Sequence, residues 1–251
     1  MSTTGTINTT VSANIATITF GHPAGNSFPS AQLKALTEAF TLLGNNPDVS
    51  IIILQSEGEK AFCAGASFDE LLKINTFEAG TEFFSGFANV INAMRTCPKL
   101  IVGRIQGKAV GGGVGLAAAC DYCFATDAAA IKLSEFTIGI GPFVIAPAVE
   151  RKMGKAALAE LTLGADQWKD AQWAQNKGLY ANTFSTLSEL DTALETFTTK
   201  LASYNPEALS AMKKVLWEGT ENWDTLLADR AKISGGLVLS DFTKEALQQF
   251  K

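Results

Sequence analysis

Histidine is almost missing from this 251-residue chain, with His22 its only example. A Ser–His–Asp arrangement would have to use that residue, which precedes Pro23 as a turn residue would. No serine stands in a nucleophile-elbow motif either, so that chemistry is set aside. Cysteine is sparse, at Cys63, Cys97, Cys120 and Cys123. Cys120 and Cys123 have CxxC spacing, but a zinc site needs a second pair of ligands and the sequence offers none nearby. The thiols read as buried and reduced, and no metal or redox cofactor is implied. Positive charge is also short: 20 Lys and Arg against 25 Asp and Glu give a net charge of -5. With no Lys/Arg cluster, nucleic acid is not an expected partner. No apolar run is long enough to cross a membrane. The first residues carry neither a positive n-region nor an apolar h-region. The expectation is a cytoplasmic protein without a membrane partner.

Hydrophobic residues make up 47% of the chain, enough for a sizeable core. Alternation over Thr6–Val11 and Ile15–Phe20, around Ser12-Ala13-Asn14, predicts a β-hairpin. A loop at 22–27 leads to a helix from Pro29-Ser30 to about Leu43, with Leu33, Leu36, Ala39 and Phe40 on one face. Ile51–Leu54, Leu100–Ile105 and Tyr122–Ala125 read as buried strands, uniformly apolar as parallel strands are. Helical segments fall at about Phe68–Ile74, Phe77–Thr96 and from the glycine run to Ala119. Strand–loop–helix units repeating this way give an α/β fold. Beyond about Thr186 the pattern is helical, with breaks near Asn205-Pro206, Gly219-Thr220 and Ser240-Asp241. The expected division is a core over residues 1–200 and a helical region over 201–251. Trp217, Trp223, Leu226, Leu227, Leu237 and Leu239 are too apolar for a solvated tail, so they should pack on the core or on another subunit.

Two small-residue stretches carry the chemistry. Ala61-Phe62-Cys63-Ala64-Gly65-Ala66-Ser67 and Gly111-Gly112-Gly113 each follow a run that reads as a buried strand. Together they suggest two backbone N–H groups aimed at one point, the minimum for holding a developing oxyanion. Gly112 opens a predicted helix, where N–H groups are unpaired and the dipole is favourable. Glu135 follows about 20 residues later. It reads either as an acid/base at this site or as a solvated charge at a strand end.

These stretches, with His22–Phe28, Gly107–Gly113, Ala119-Cys120-Asp121, Ser134-Glu135, Gly139, Pro142 and the tail from Ser240 to Phe250, resemble the crotonase (enoyl-CoA hydratase/isomerase) superfamily over nearly the whole chain. The resemblance implies a spiral of ββα turns with a C-terminal helical trimerisation region, assembled as a homotrimer or a dimer of trimers. It implies an acyl-CoA thioester as substrate, with coenzyme A belonging to the substrate rather than acting as a cofactor. It implies Ala66 and Gly112 as the N–H donors to the thioester oxygen, and Glu135 as the catalytic carboxylate. Ala24, Gly25, Cys63 and Ala64 would lie along the coenzyme A adenine. Ser67, Phe68, Gly111, Gly115 and Phe143 complete the expected binding set.

Two positions depart from the family pattern. Family hydratases hold a water between two glutamates, and the first of these falls at Gly115, where the carboxylate is missing. One carboxylate suits moving a proton from one carbon to another, as family isomerases do when a 3-double bond becomes a 2-double bond. Hydration of a 2-enoyl-CoA is the alternative. Decarboxylation, thioester hydrolysis or a silent acyl-CoA-binding subunit stand behind it. Gly115 either enlarges the acyl pocket or only permits close packing, and Glu150 is a candidate substitute carboxylate. Ser67 stands where the family has Asp; it can cap the helix from Phe68, with Asp69 and Glu70 complementing the dipole. Phe136, Ile138 and Phe143 are expected to raise the Glu135 pKa. Lys60 is either a coenzyme A phosphate contact or a solvated lysine.

Overall fold

The computed structural model describes residues 5–249; the first four residues, and Phe250 at the end of the tail motif, lie outside them. The chain opens with the expected hairpin, β1 (Thr6–Ser12) against β2 (Ile15–Gly21). Ala13 and Asn14 both take positive φ in its turn, the backbone that joins two strands without splaying them. Helix α1 (Ser30–Gly44) follows and buries Leu33, Leu36, Ala39 and Phe40. Its Ser30 N–H donates to the Glu70 carboxylate at 2.8 Å. Glu70 therefore closes the N-terminus of a distant helix, a tie that the sequence did not signal.

The chain then repeats a strand, a second short strand and a helix. The first turn is β3 (Ile51–Ser56), β4 (Ala61–Cys63), α2 (Phe68–Leu71) and α3 (Phe77–Thr96). The second is β5 (Leu100–Ile105), β6 (Lys108–Val110) and α4 (Gly112–Ala119). The third is β7 (Tyr122–Thr126), β8 (Ile131–Lys132), a 3₁₀ turn over Glu135–Ile138, and α5 (Ala146–Met153). Helices α6 (Lys155–Leu163) and α7 (Ala171–Asn176) lead to β9 (Asn182–Phe184). The long strands form one sheet in the order β1-β2-β3-β5-β7-β9, parallel except for the hairpin. The short strands form a second sheet, β4-β6-β8, also parallel. This is a spiral of ββα turns. The sequence reading had β1, β2, β3, β5 and β7 and the helices α1 to α4, but it gave no strand at β9 and no helix at α6 or α7, and it took the short strands β4, β6 and β8 as loops.

The large sheet is covered on both faces, as its uniformly apolar strands require. Along β3, Ile52 and Leu54 join the main core while Ile51 and Ile53 join a smaller cluster on the opposite face. Helix α8 (Leu187–Ala202) supplies Leu190 and Leu194 to that smaller cluster. The last helices are α9 (Pro206–Leu216), α10 (Trp223–Leu237) and α11 (Asp241–Gln248). Trp217, Trp223, Leu227 and Ala231 belong to the main core. Leu226 and Leu239 are partly buried against apolar clusters, whereas Leu237 is exposed.

A buried charge cluster ties α9 to the sheet. Asp121 accepts from Lys213 Nζ, Trp217 Nε1 and the Ile101 N–H, each at 2.7 Å. The Lys213 and Asp121 side chains are 2% and 4% exposed, so neither charge has water to fall back on. Removing one partner strands the other charge, at a cost of about 3–5 kcal/mol. Asp121→Ala should lower the unfolding free energy by that amount in urea titrations. A loss below about 1 kcal/mol would show that water reaches Lys213.

Candidate active site

The three parts of the site sit at the carboxyl ends of three neighbouring strands. The loop 64–67 follows β4, Gly111 follows β6, and Glu135 follows β8. The pairing of β6 with β8 runs on to a Gly111 N–H bond with the Lys132 carbonyl at 2.9 Å. Parallel strands leave such loops side by side, which is why α/β sheets bind ligands at this edge.

Two glycines turn the backbone out of the strands. Gly65 has φ +92° and Gly111 has φ +53° with ψ -118°, conformations that side chains with a Cβ rarely adopt. A Cβ on Gly65 would stand 3.1 Å from the Val110 carbonyl oxygen and 3.8 Å from the Gly112 nitrogen. The two motifs thus meet backbone to backbone. Loop 64–67 is held on its other side by the Phe28 N–H bond to Gly65 and the Ser67 N–H bond to Phe28, both 2.8 Å. Among the described residues, no protein acceptor takes the N–H of Ala66 or of Gly112. Both residues line one cavity of about 130 Å³.

Glu135 lines the same cavity, and among the described residues it is the only titratable side chain that does so. A Cβ on Gly111 would meet its Oε1 at 2.9 Å, so the carboxylate lies against the glycine that opens α4. Its Oε2 is shielded from solvent and has no hydrogen-bond partner among the described residues. Desolvation pushes the pKa up to about 7, opposed by a hydrogen bond from its own backbone N–H. The surroundings differ from those expected. Ile138 lines the cavity, but Phe136 is exposed and the Phe143 ring packs over Gly141. The apolar wall is instead Phe83, Phe84 and Phe87 from α3 with Val144 and Ile145. The α3 aromatics fall at helical spacing in the sequence, which reads equally well as ordinary core.

The remaining candidates separate by position. Ala64, Phe68 and Gly111 line the cavity. Ala24 and Gly25 lie beside loop 64–67, where the Ala64 N–H donates to the Gly25 carbonyl at 3.0 Å. Asn26 pins that corner by donating to the carbonyls of Glu57 and Ala61, a role the sequence did not reveal. Cys63 is fully buried, with its thiol pushed up to about 12 by desolvation, and its sulfur accepts from the Gly65 N–H. Ser67 caps α2 as expected, accepting from the Glu70 N–H. Gly115 and Phe143 are corrections, since neither lines the cavity. A Cβ on Gly115 would stand 2.5 Å from Ile145 Cγ2, so Ile145 occupies the space that a side chain there would need. Close packing, not a larger pocket, is the role of Gly115. Glu150 is also corrected: it pairs with Lys155 at 3.4 Å, away from the cavity.

Comparison with known proteins agrees with this geometry. The enoyl-CoA hydratase/isomerase pattern matches residues 10–251. The chain belongs to that family. It is 28% identical to the peroxisomal Delta(3,5)-Delta(2,4)-dienoyl-CoA isomerase of Arabidopsis thaliana, over 84% of this chain and 80% of that protein. It is 29% identical to the short-chain-enoyl-CoA hydratase of Clostridium acetobutylicum, over 94% and 90%. The crystal structure of an enoyl-CoA hydratase from Bacillus halodurans superposes with a TM-score of 0.89 at 23% identity, covering 97% of this chain and 99% of that one. The crotonase fold is thereby shown. The reaction is not, because the family and these relatives span both chemistries.

Two outcomes follow for stability. A carboxyl whose folded pKa is raised favours the folded state at low pH and loses that advantage as pH climbs from the unfolded value of 4.5 to about 7. Glu135→Gln should therefore unfold with a flatter pH dependence, and above pH 7 be more stable than wild type by up to about 3 kcal/mol. Chemical denaturation at pH 5 and pH 8 reads this, and equal slopes for the two proteins would refute a raised pKa. At Gly115, helix propensity favours alanine by about 1 kcal/mol, whereas overpacking costs about 1–3. Gly115→Ala should be net destabilising, with Ile145→Ala relieving it beyond additivity in a double-mutant cycle.

Proposed function

We propose that the protein is a cytoplasmic enoyl-CoA isomerase that moves a double bond from the 3- to the 2-position of an acyl-CoA thioester. The observation that carries this reading is the single carboxylate. Among the described residues Glu135 is the only carboxylate lining a cavity that holds two unpartnered backbone N–H groups, with no second one there to share a water. The thioester oxygen is received by the Ala66 and Gly112 N–H groups. Glu135 removes a proton from C2, and the electron pair moves onto that oxygen as a dienolate. These donors strengthen as charge develops, which lowers the barrier rather than merely tightening binding. The protonated Glu135 returns the proton to C4, leaving the double bond between C2 and C3. The same carboxyl is base and then acid, and a pKa near neutrality suits both halves.

Hydration of a 2-enoyl-CoA is the second reading, favoured by the hydratases among the relatives. It requires some group other than a carboxylate to orient the water. Coenzyme A would lie with its adenine near Ala24, Gly25 and Ala64, as the resemblance implies. The homotrimer or dimer of trimers belongs to the same proposal. Exposed Met212, Val215 and Leu216 on α9 and Phe242 on α11 supply apolar surface for it.

Exchange of deuterium from D₂O into C2 and C4 of 3-enoyl- and 2-enoyl-CoA thioesters tests the reaction. Wild type should label both carbons, with a rate that rises with pH to about 7 and then levels, because the base must be ionised. Glu135→Gln should lower the rate by about 10²–10⁴-fold. Water addition without label at C4 would select the hydratase. Undiminished exchange in the variant would remove Glu135 from the mechanism.

A further inference from the structure

Besides Glu135, two polar side chains among the described residues line the cavity, Ser134 and Ser234, and of these two Ser234 is the buried one. Ser234, on α10, lines the cavity and is 1% exposed. Its hydroxyl has no hydrogen-bond partner among the described residues. That is unusual for this protein. The helical hydroxyls of Thr37, Thr41, Ser85, Thr96, Thr192 and Thr198 all donate to the carbonyl four residues back, the common resting place for such groups. Thr81 and Thr162 also lack a partner, but neither lines the cavity. A buried hydroxyl left unpaired costs free energy that a bound partner recovers.

Its position along the cavity follows from α3. Phe87 abuts Gly112, since a Cβ on that glycine would run into its ring. Gly80 abuts α10, where a Cβ would stand 2.9 Å from Gly235 Cα. Gly80 and Phe87 are two helical turns apart, about 10 Å. Ser234, next to Gly235, therefore lies about two helical turns of α3 from the contact that Phe87 makes with Gly112. The cavity of about 130 Å³ is slightly smaller than an apolar cavity of about 150 Å³ that takes benzene. The acyl group it admits is about six carbons in size.

We propose that Ser234 is a specificity residue that hydrogen-bonds an uncharged oxygen, a hydroxyl or a carbonyl, near the distal end of a medium-length acyl group. This inference rests on the acyl-CoA reading above. A carboxylate at that place does not fit, because among the described residues no Lys, Arg or His lines the cavity to compensate it and Glu135 already carries negative charge when ionised.

Equilibrium binding of saturated thioesters separates this inference from the chemistry. Hexanoyl-CoA is compared with 5-hydroxyhexanoyl- and 5-oxohexanoyl-CoA by calorimetry, on wild type, Ser234→Ala and Ser234→Thr. Wild type should bind one of the oxygen-bearing thioesters about 10–100-fold more tightly than hexanoyl-CoA. Ser234→Ala should erase the preference while holding or improving hexanoyl-CoA affinity, and Ser234→Thr should retain part of it. Equal affinities in wild type, or a preference that survives in Ser234→Ala, would overturn the assignment while leaving the acyl-CoA reading intact. If none of the thioesters binds, the acyl-CoA reading itself fails and this inference fails with it.

Discussion

Three very short parallel strands govern the site. The strands β4, β6 and β8 contain only three, three and two residues, yet their pairing decides where the candidate catalytic groups stand. Because they run parallel and side by side, the loop after β4, the glycines after β6 and the carboxylate after β8 are delivered to one edge. The small sheet also feeds the main core through Phe62, Cys63, Ala109 and Ile131, and without it the two N–H groups and the carboxylate would lie on unrelated loops. Gly65 and Gly111 convert the pairing into function. Each takes a backbone that other residues avoid, and each is followed by a residue whose N–H has no protein acceptor.

The electrostatics depend on the same pairing. Glu135 packs against Gly111, where a side chain would collide with the carboxylate. That contact holds the acid beside the positive end of α4 but within an apolar wall. The helix end favours the anion by a fraction of a kcal/mol up to about 2, whereas burial disfavours it more strongly. The resulting pKa of about 7 shows that desolvation wins. Asp121, equally buried, is managed in the opposite way, with three donors at 2.7 Å. One carboxylate is fully satisfied and ties a helix to the sheet. The other has one oxygen without a partner among the described residues, which suits the proton exchange proposed for it.

Much of this could be read from the residues alone. Strands β3, β5 and β7 announced themselves as apolar runs and the hairpin by its alternation, and helix breaks at Asn205-Pro206 and Ser240-Asp241 matched α9 and α11. Ala66, Gly112 and Glu135 were legible as a set because small-residue turns and an acid recur in a familiar order. The short strands were not legible, since Lys108-Ala109-Val110 or Ile131-Lys132 is too brief to show a period. The cavity wall was missed for another reason. Phe83, Phe84 and Phe87 have the spacing of any buried helix face, and only the fold reveals that they border empty space. Asn26 and Glu70 were opaque because their partners are 31 to 40 residues away in sequence.

Gly115 shows how a local sequence difference takes its meaning from packing. Read alone, a glycine where family hydratases carry a carboxylate suggests added room. The structure fills that room with Ile145. A glutamate at 115 would have to displace a buried β-branched side chain that itself lines the acyl cavity. The missing acid and the apolar wall are therefore one feature, not two. The space beside α4 is committed to hydrophobic packing. Among the described residues Glu135 is the one titratable side chain lining the cavity, and Ser234 lies about two helical turns away along α3. The carboxylate and the proposed specificity residue thus stand at separate points along the cavity, and α3 spans the distance between them.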